Sequence, residues 1–360
     1  MFTAKLNQDQ ISFSSLWEDL RFHCYRGQGH ILRYLLNRLR WHYYPGWHRL
    51  TDYPEHVDME LSAVCNMQCP MCYTITEEFK SNVKRTLMDG SLWRKIVDEC
   101  VTGGVFSLRL SLRGEPTLHP EFTAVARYAK EKGIRELSSL TNALKLTPSI
   151  FEELVDAGLD WLTISADGIG ATYEEIRKPA KFGDLLEKLK VFKEIKRRRR
   201  RTKPVIKIQT VWPAIRDNPQ EYYQTFRPLV DQVSCNPLID YLWQDGAKGT
   251  IKYIPDYDCH VLYQRLTVGS DGQVLFCLYD EAGHRKLGDL TKQTIHGIWH
   301  SQSLNEARRI HARQGGVASY KELCGRCPLT RATETGDIVS MQGREITIKQ
   351  LIGRDQKVGR

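Results

Sequence analysis

The chain has 360 residues, 41% of them hydrophobic, with ten cysteines and a formal net charge of +9. That length and composition suit one large α/β domain plus a smaller appendage and exclude a membrane protein, since no stretch reaches the roughly 18 uninterrupted apolar residues of a span. The amino terminus has no apolar signal segment, so the expected compartment is cytoplasmic, and the cationic excess favours an anionic partner.

Residues 1–50 form a basic, aromatic-rich lead segment. Leu32, Leu35, Leu36, Leu39 and Tyr43 are spaced as one face of a helix, with Arg33, Asn37 and Arg40 largely opposite, and Pro45 and Gly46 end it. The apolar face is expected to pack against the outside of the main domain. The alternative is contact with a membrane surface or a partner through residues 31–44, because basic amphipathic helices with Trp and Tyr settle at interfaces.

From residue 57, short β-like runs alternate with helical ones. The strands are VDMELS from Val57, FSLRLSL from Phe106, IRELSSLT from Ile134, WLTISAD from Trp161, VIKIQTVW from Val205 and VSCNPLI from Val233. Helical patterns lie near Leu92–Val101, Pro120–Lys132, Thr147–Ala157, Phe182–Arg199 and Pro219–Val230. Parallel strands joined by crossover helices follow, so the expected fold is α/β, a partial (β/α)6 barrel over residues 51–250. In such barrels reactive groups gather at the carboxy-terminal strand ends. The run from Lys196 to Arg201, with Lys203 beyond, reads as the solvated end of a helix, where cations complement the dipole. No recognised RNA or DNA module accompanies it, so nucleic acid is not the expected partner.

Residues 251–330 form a small cysteine-rich region containing a hairpin, LTVGSDGQVLFC, that turns at Ser270, Asp271 and Gly272. Residues 331–360 read as a carboxy-terminal tail, charged and Gly-containing, and partly disordered. No internal repeat is present.

Ten cysteines in a reducing cytosol are to be read for metals rather than disulfides. Cys24, Cys100 and Cys235 stand alone and read as buried small apolar side chains. The other seven form two groups. Cys65, Cys69 and Cys72 have three and then two intervening residues, and three thiolates in one loop can hold three irons of a [4Fe-4S] cube while leaving the fourth open. A structural zinc site closes its shell with four protein ligands, and none is offered nearby.

This CxxxCxxC loop directly after a strand resembles that of the radical S-adenosylmethionine (SAM) superfamily, over roughly residues 55–330. The resemblance implies that the open iron chelates SAM, whose reductive cleavage gives a radical that abstracts a substrate hydrogen. Met71 and the backbone near Tyr73 would then border the adenine. Gly114, Glu115 and Pro116 match most of a GGEP motif that holds the SAM amino group, with Arg113 in place of its first glycine. Asn142, after Thr141, stands where relatives have Thr-Asn-Gly, with Ala143 in the glycine position. Ser165 and Asp167 match strand-end groups that bind the ribose or methionine portion, and Arg177 resembles an arginine that pairs with the SAM carboxylate.

Cys259, Cys277, Cys324 and Cys327 can ligate a second site completely. Their pattern, with DGQVLFC and the closing CGRCP, resembles the SPASM and twitch extensions of the same superfamily, and four cysteines suit the single-cluster form. Zinc is the competing occupant. A fully ligated auxiliary [4Fe-4S] cluster suits electron transfer, and hence net oxidation of the substrate.

The resemblance thus implies a radical SAM oxidoreductase or related radical-transfer enzyme, served by a one-electron donor such as flavodoxin or ferredoxin. Its substrate is read as a small sugar-like or anionic metabolite, with a ribosomally made peptide as the alternative and a non-catalytic metal-binding scaffold as the alternative of another class. No catalytic acid or base is assigned: His119, Tyr173 and Asp280 read as structural.

Overall fold

The computed structural model describes residues 11–236, 252–254, 257–325, 327–352 and 358. One ten-stranded sheet organises them. Its strands are β1 (Ile11–Ser12), β2 (His56–Met59), β3 (Ser107–Arg109), β4 (Glu136–Thr141), β5 (Trp161–Ser165), β6 (Val205–Val211), β7 (Gln232–Asn236), β8 (Arg265–Val268), β9 (Gln273–Leu275) and β10 (Lys286–Asp289). The spatial order is β1-β7-β6-β5-β4-β3-β2-β8-β9-β10. Strands β2 to β7 are parallel and lie side by side in chain order, which gives the expected partial (β/α)6 barrel as an open sheet rather than a closed ring. The short β1 pairs antiparallel with β7 at one edge; at the other, β8 joins β2 in parallel and leads into the β8–β9 hairpin. The last residues of the VSCNPLI run, 237–239, lie outside the described residues.

The helices among the described residues are α1 (Leu16–Gly27), α2 (Ile31–Tyr43), α3 (Glu77–Asn82), α4 (Gly90–Thr102), α5 (Phe122–Lys132), α6 (Pro148–Ala157), α7 (Gly170–Ile176), α8 (Phe182–Arg198), α9 (Pro219–Phe226), α10 (Val261–Gln264), α11 (Ile295–Trp299), α12 (Gln302–Ala312), α13 (Gly316–Ser319) and α14 (Lys321–Cys324). Local sequence sets their bounds. Thr147 accepts a hydrogen bond from the Ile150 amide and Pro148 opens α6, while Gly158 closes it at φ 84°. Phe151 of α6 then stacks on Phe192 of α8 at 4.1 Å, both fully buried, and each such side chain contributes about 1.5–3 kcal/mol. Alternation along the strands sorts the two sheet faces: Ile206 and Ile208 pack under the helices, while Lys207 and Gln209 take the other, interior face.

Three expectations are corrected. Helix α2 packs on the barrel through the face opposite to the one expected. Tyr34 and Asn37 are buried, whereas Leu32, Leu35, Leu36, Leu39 and Tyr43 face outward. The physical reason is a polar and aromatic anchor: Asn37 donates to the buried carboxylate of Glu55 at 2.7 Å, and Tyr34 packs beside Phe106 and bonds His23. Cys24 is exposed on α1, although Cys100 and Cys235 are buried as expected. Residues 333–351, read as part of a tail, form an antiparallel hairpin of β11 (Thr333–Met341) and β12 (Arg344–Leu351). Among the described residues no helix is long and apolar enough to cross a membrane.

Candidate SAM site and metal centres

The Cys65–Cys72 loop leaves the carboxy-terminal end of β2, and the Cys72 amide donates to the Cys69 carbonyl at 2.9 Å to close it. Cys65 and Cys69 lie near enough to act on each other electrostatically, as do Cys69 and Cys72. Burial pushes all three thiols up, Cys72 to about 11. Thiols so buried stay protonated unless a cation displaces the proton, which is what a metal centre does. Three inward thiols with no fourth thiol at the loop fit an open [4Fe-4S] cluster.

The end of β3 lies directly on this loop. The Glu115 amide donates to the Val64 carbonyl at 2.8 Å, and a Cβ on Gly114 would stand 2.4 Å from the Ser62 oxygen and 2.6 Å from that of Val64. Glycine is therefore required at 114, but not at 113. The Arg113 side chain turns away to grip Glu60 through two nitrogens and donates to the Glu281 carbonyl at 2.9 Å. Glu60 also accepts from the Ser270 amide at the β8–β9 turn, so one ion pair ties the GEP segment to the cysteine-rich region. Glu115 is buried and accepts from the Thr117 amide and hydroxyl, the Thr141 hydroxyl and the Asn142 amide. Three of these donors address Oε1 and one addresses Oε2, which leaves acceptor capacity on Oε2. Burial raises its pKa above the usual carboxylate value despite those donors.

Asn142 reaches across from the end of β4: its side-chain amide donates to Asn66 at 2.8 Å and lies 3.8 Å from the Cys65 sulfur. The next residue, Ala143, holds a left-handed backbone at φ 59°, where the related motif has glycine. Asp167, past the end of β5, accepts from Arg177 at 2.7 Å and from the Val211 amide at 2.9 Å. Arg177 is held charged by Asp167 and acts directly on Cys69, so its guanidinium stands beside the loop. Ser165 is buried at the end of β5 and makes no hydrogen bond to the loop among the described residues. Met71 is half-buried in the loop, and the Tyr73 hydroxyl donates to Glu78 at 2.6 Å.

Cys259, Cys277, Cys324 and Cys327 also converge: Cys277 feels the charges of Cys327 and Cys259, and Cys324 those of Cys259 and Cys277. Thr330 fixes the CxxC turn by donating to the Cys324 and Cys327 carbonyls at 2.7 and 2.8 Å. Cys324 is buried and the other three are half-buried, a donor set whose chemistry suits a closed metal site. Sequence reasoning did not pick out His311 of α12, which lies fully buried with Nε2 3.6 Å from the Cys324 sulfur. His119, Tyr173 and Asp280 are held by the fold: His119 bonds the Met88 carbonyl, Tyr173 is buried and Asp280 accepts from the amides of His284 and Arg285.

Sequence reasoning also passed over the interior of the sheet. Asp58 and Arg109 are register partners on β2 and β3, paired at 2.8 Å, and Arg265 of β8 joins them at 3.2 Å. Lys207 of β6 is 4% exposed, with its ammonium 4.7 Å above the Trp161 ring. Burial, helped by Arg26 and Arg109, pulls the Lys207 amine down to about 7. The signal available in sequence was the lysine and glutamine alternating with isoleucines in VIKIQTVW.

Comparison with known proteins accounts for this arrangement. The Radical SAM superfamily profile matches residues 59–213, and the SPASM iron-sulfur cluster-binding domain matches residues 259–328. This chain belongs to the radical SAM superfamily. It is 32% identical to the AdoMet-dependent heme synthase of Methanosarcina barkeri over 147 residues, 40% of this chain and 41% of that protein. It is also 32% identical to the S-adenosylmethionine-dependent nucleotide dehydratase of Selenomonas ruminantium, over 31% of this chain and 39% of that one. The chain thus spans about two fifths or less of the length of these curated relatives. Among solved structures, BtrN in complex with AdoMet and 2-DOIA superposes with a TM-score of 0.52 at 17% identity, covering 76% of this chain and 92% of that one. SuiB of Streptococcus suis bound to its precursor peptide SuiA gives 0.52 at 14%, covering 78% and 72%. At such identities the structures attest the shared fold.

Proposed function

We propose that this chain binds SAM on a [4Fe-4S] cluster held by Cys65, Cys69 and Cys72 and acts on a small anionic or sugar-like metabolite, with residues 51–250 as the catalytic unit. The observation that carries the proposal is the meeting of the three-cysteine loop with Gly114 and Asn142 at adjacent strand ends and with Arg177 at the end of α7. When bound, the cluster and SAM supply a reductive cleavage whose product abstracts hydrogen from carbon. The chain's own groups position the ligand. Arg177, oriented by Asp167, faces the SAM carboxylate; Oε2 of Glu115 and the backbone at Gly114 take its ammonium. Asn142 and Ser165 border the ribose and methionine portions, and Met71 and Tyr73 the adenine.

Residues 251–330 are assigned one auxiliary [4Fe-4S] cluster on Cys259, Cys277, Cys324 and Cys327, suited to removing an electron and making the reaction a net oxidation. An anionic substrate is favoured by the chain's cationic excess, a formal net charge of +9. The relatives named for nucleotide chemistry and for 2-DOIA point the same way. A peptide substrate is the second reading, favoured by 31% identity to a PqqA peptide cyclase over 116 residues and by the SuiB fold. A low-potential one-electron protein such as flavodoxin or ferredoxin would reduce the cluster. Ten free cysteines suit the cytoplasm, and residues 31–44 are proposed to touch a membrane surface there.

Anaerobic reconstitution tests the reading. The protein should bind iron and sulfide and release 5′-deoxyadenosine with a strong reductant, while the variant with Cys65, Cys69 and Cys72 all replaced by Ala keeps about half the iron and releases none. Iron content unchanged by those substitutions refutes the assignment. Deuterium transfer from candidate nucleotides, sugars and peptides into 5′-deoxyadenosine decides the substrate class.

A further inference from the structure

Ten of the fourteen exposed large hydrophobic side chains among the described residues lie between positions 16 and 47, which concentrates the apolar surface on one element pair. On α1 these are Leu16, Trp17 and Leu20, and on α2 they include Leu32, 79% exposed, with Leu35, Leu36 and Leu39. Tyr43 and Trp47 extend the face past the end of α2 and stack on each other at 5.5 Å. A patch of this kind on a folded surface marks an interface.

The charges of α2 are of one sign, while on α1 Glu18 is taken by Arg227 and Asp19 by Ser12 and Gln232. Helix α2 contains no carboxylate; Arg33 and His42 are exposed on it, and Arg135, depressed first by burial, is depressed further by nearby Arg33. The basic run after α8 arrives at the same place. The Thr202 hydroxyl donates to Gln28 at 2.6 Å, and the Lys203 ammonium donates to the Gln28 carbonyl at 3.2 Å, in the turn between α1 and α2. Arg197, Arg198 and Arg199 are taken by Glu194, Glu152 and Asp156. Arg200 and Arg201 are exposed and have no ion pair among the described residues.

We infer that α1, α2 and the end of the 196–203 run form a docking face for an anionic phospholipid bilayer. The inference rests on the membrane contact proposed for residues 31–44 and names its chemistry. The leucines enter the boundary between headgroups and acyl chains, Trp17, Tyr43 and Trp47 sit at headgroup level, and Arg33, Arg200 and Arg201 meet lipid phosphates. A second copy of the chain fits less well, because a two-fold interface lays this acid-free helix against itself and brings like charges together.

The test is flotation of the reconstituted protein with vesicles of phosphatidylcholine alone and of phosphatidylcholine mixed with phosphatidylglycerol. Binding is expected to the mixed vesicles and to weaken with salt. Arg200→Ala with Arg201→Ala should weaken it roughly 30-fold, at about 1 kcal/mol per arginine. Leu32→Glu with Leu36→Glu, both at exposed positions, should abolish it while leaving unfolding and SAM binding unchanged. Equal binding to both vesicle types would keep the membrane contact and overturn the anionic-lipid inference. Absence of binding to either overturns both, and so does a dimer in solution that the leucine variant dissociates.

Discussion

Replacing Arg113 by glycine restores the related motif, and the structure requires that it harm the protein. The Arg113 and Glu60 side chains are 4% and 0% exposed, so removing the guanidinium strands a carboxylate that keeps only amide donors, those of residue 113 and Ser270. Breaking such a buried pair costs about 3–5 kcal/mol. The Glu281 carbonyl loses a charged donor worth about 1.5–3 kcal/mol more. The sum, roughly 5–8 kcal/mol, is a large share of a typical stability of about 5–15 kcal/mol. Urea unfolding of the anaerobic, reconstituted protein measures it. Glu60→Gln in the Arg113→Gly background should return most of the loss, because the stranded charge is gone. A loss below about 1 kcal/mol, or a double variant no more stable than Arg113→Gly, would refute the role given to this pair.

Lys207→Met should make stability less dependent on pH. The unfolded lysine titrates at 10.5 and the folded one at about 7, so between those values the unfolded chain holds the extra proton and wild-type stability rises with pH. The variant's advantage should be full below about pH 7 and fade toward 10.5 in a series of denaturation curves; a constant difference contradicts the burial argument. Ala143→Gly removes a left-handed alanine and should stabilise the protein by about 0.5–1 kcal/mol, seen as a raised Tm. His311→Leu should leave iron content intact and lower the reduction potential at the second site, as lost hydrogen bonding to the Cys324 sulfur predicts; an EPR-monitored redox titration reads it.

Much of the architecture was legible because its signals are local. Alternation in VIKIQTVW and the turn at Ser270–Gly272 identify β6 and the β8–β9 hairpin without tertiary information. The metal loop was legible for the same reason, since its three cysteines lie within eight residues. What failed depended on partners far along the chain. The leucine stripe of α2 has the period of a core face, but periodicity does not say which face is buried, and the Asn37–Glu55 bond decided it. Asp167 read as a ligand contact, and nothing in the sequence signals that its oxygens also accept from Arg177 and from the Val211 amide, brought there by the return of β6. His311 stands 13 residues before Cys324 with no motif to join them.

Strand β2 lies between β3 and β8, and its partner β8 comes about two hundred residues later in the chain. During synthesis one edge of the strand that launches the cysteine loop therefore stays without its ladder until most of the protein has emerged. Long-range pairing of this kind is slow, and an open apolar edge is prone to wrong association. Truncation before Arg265 should thus yield a sticky fragment rather than a working barrel. A metal centre on the first loop would then be completed only after β8 has paired with β2.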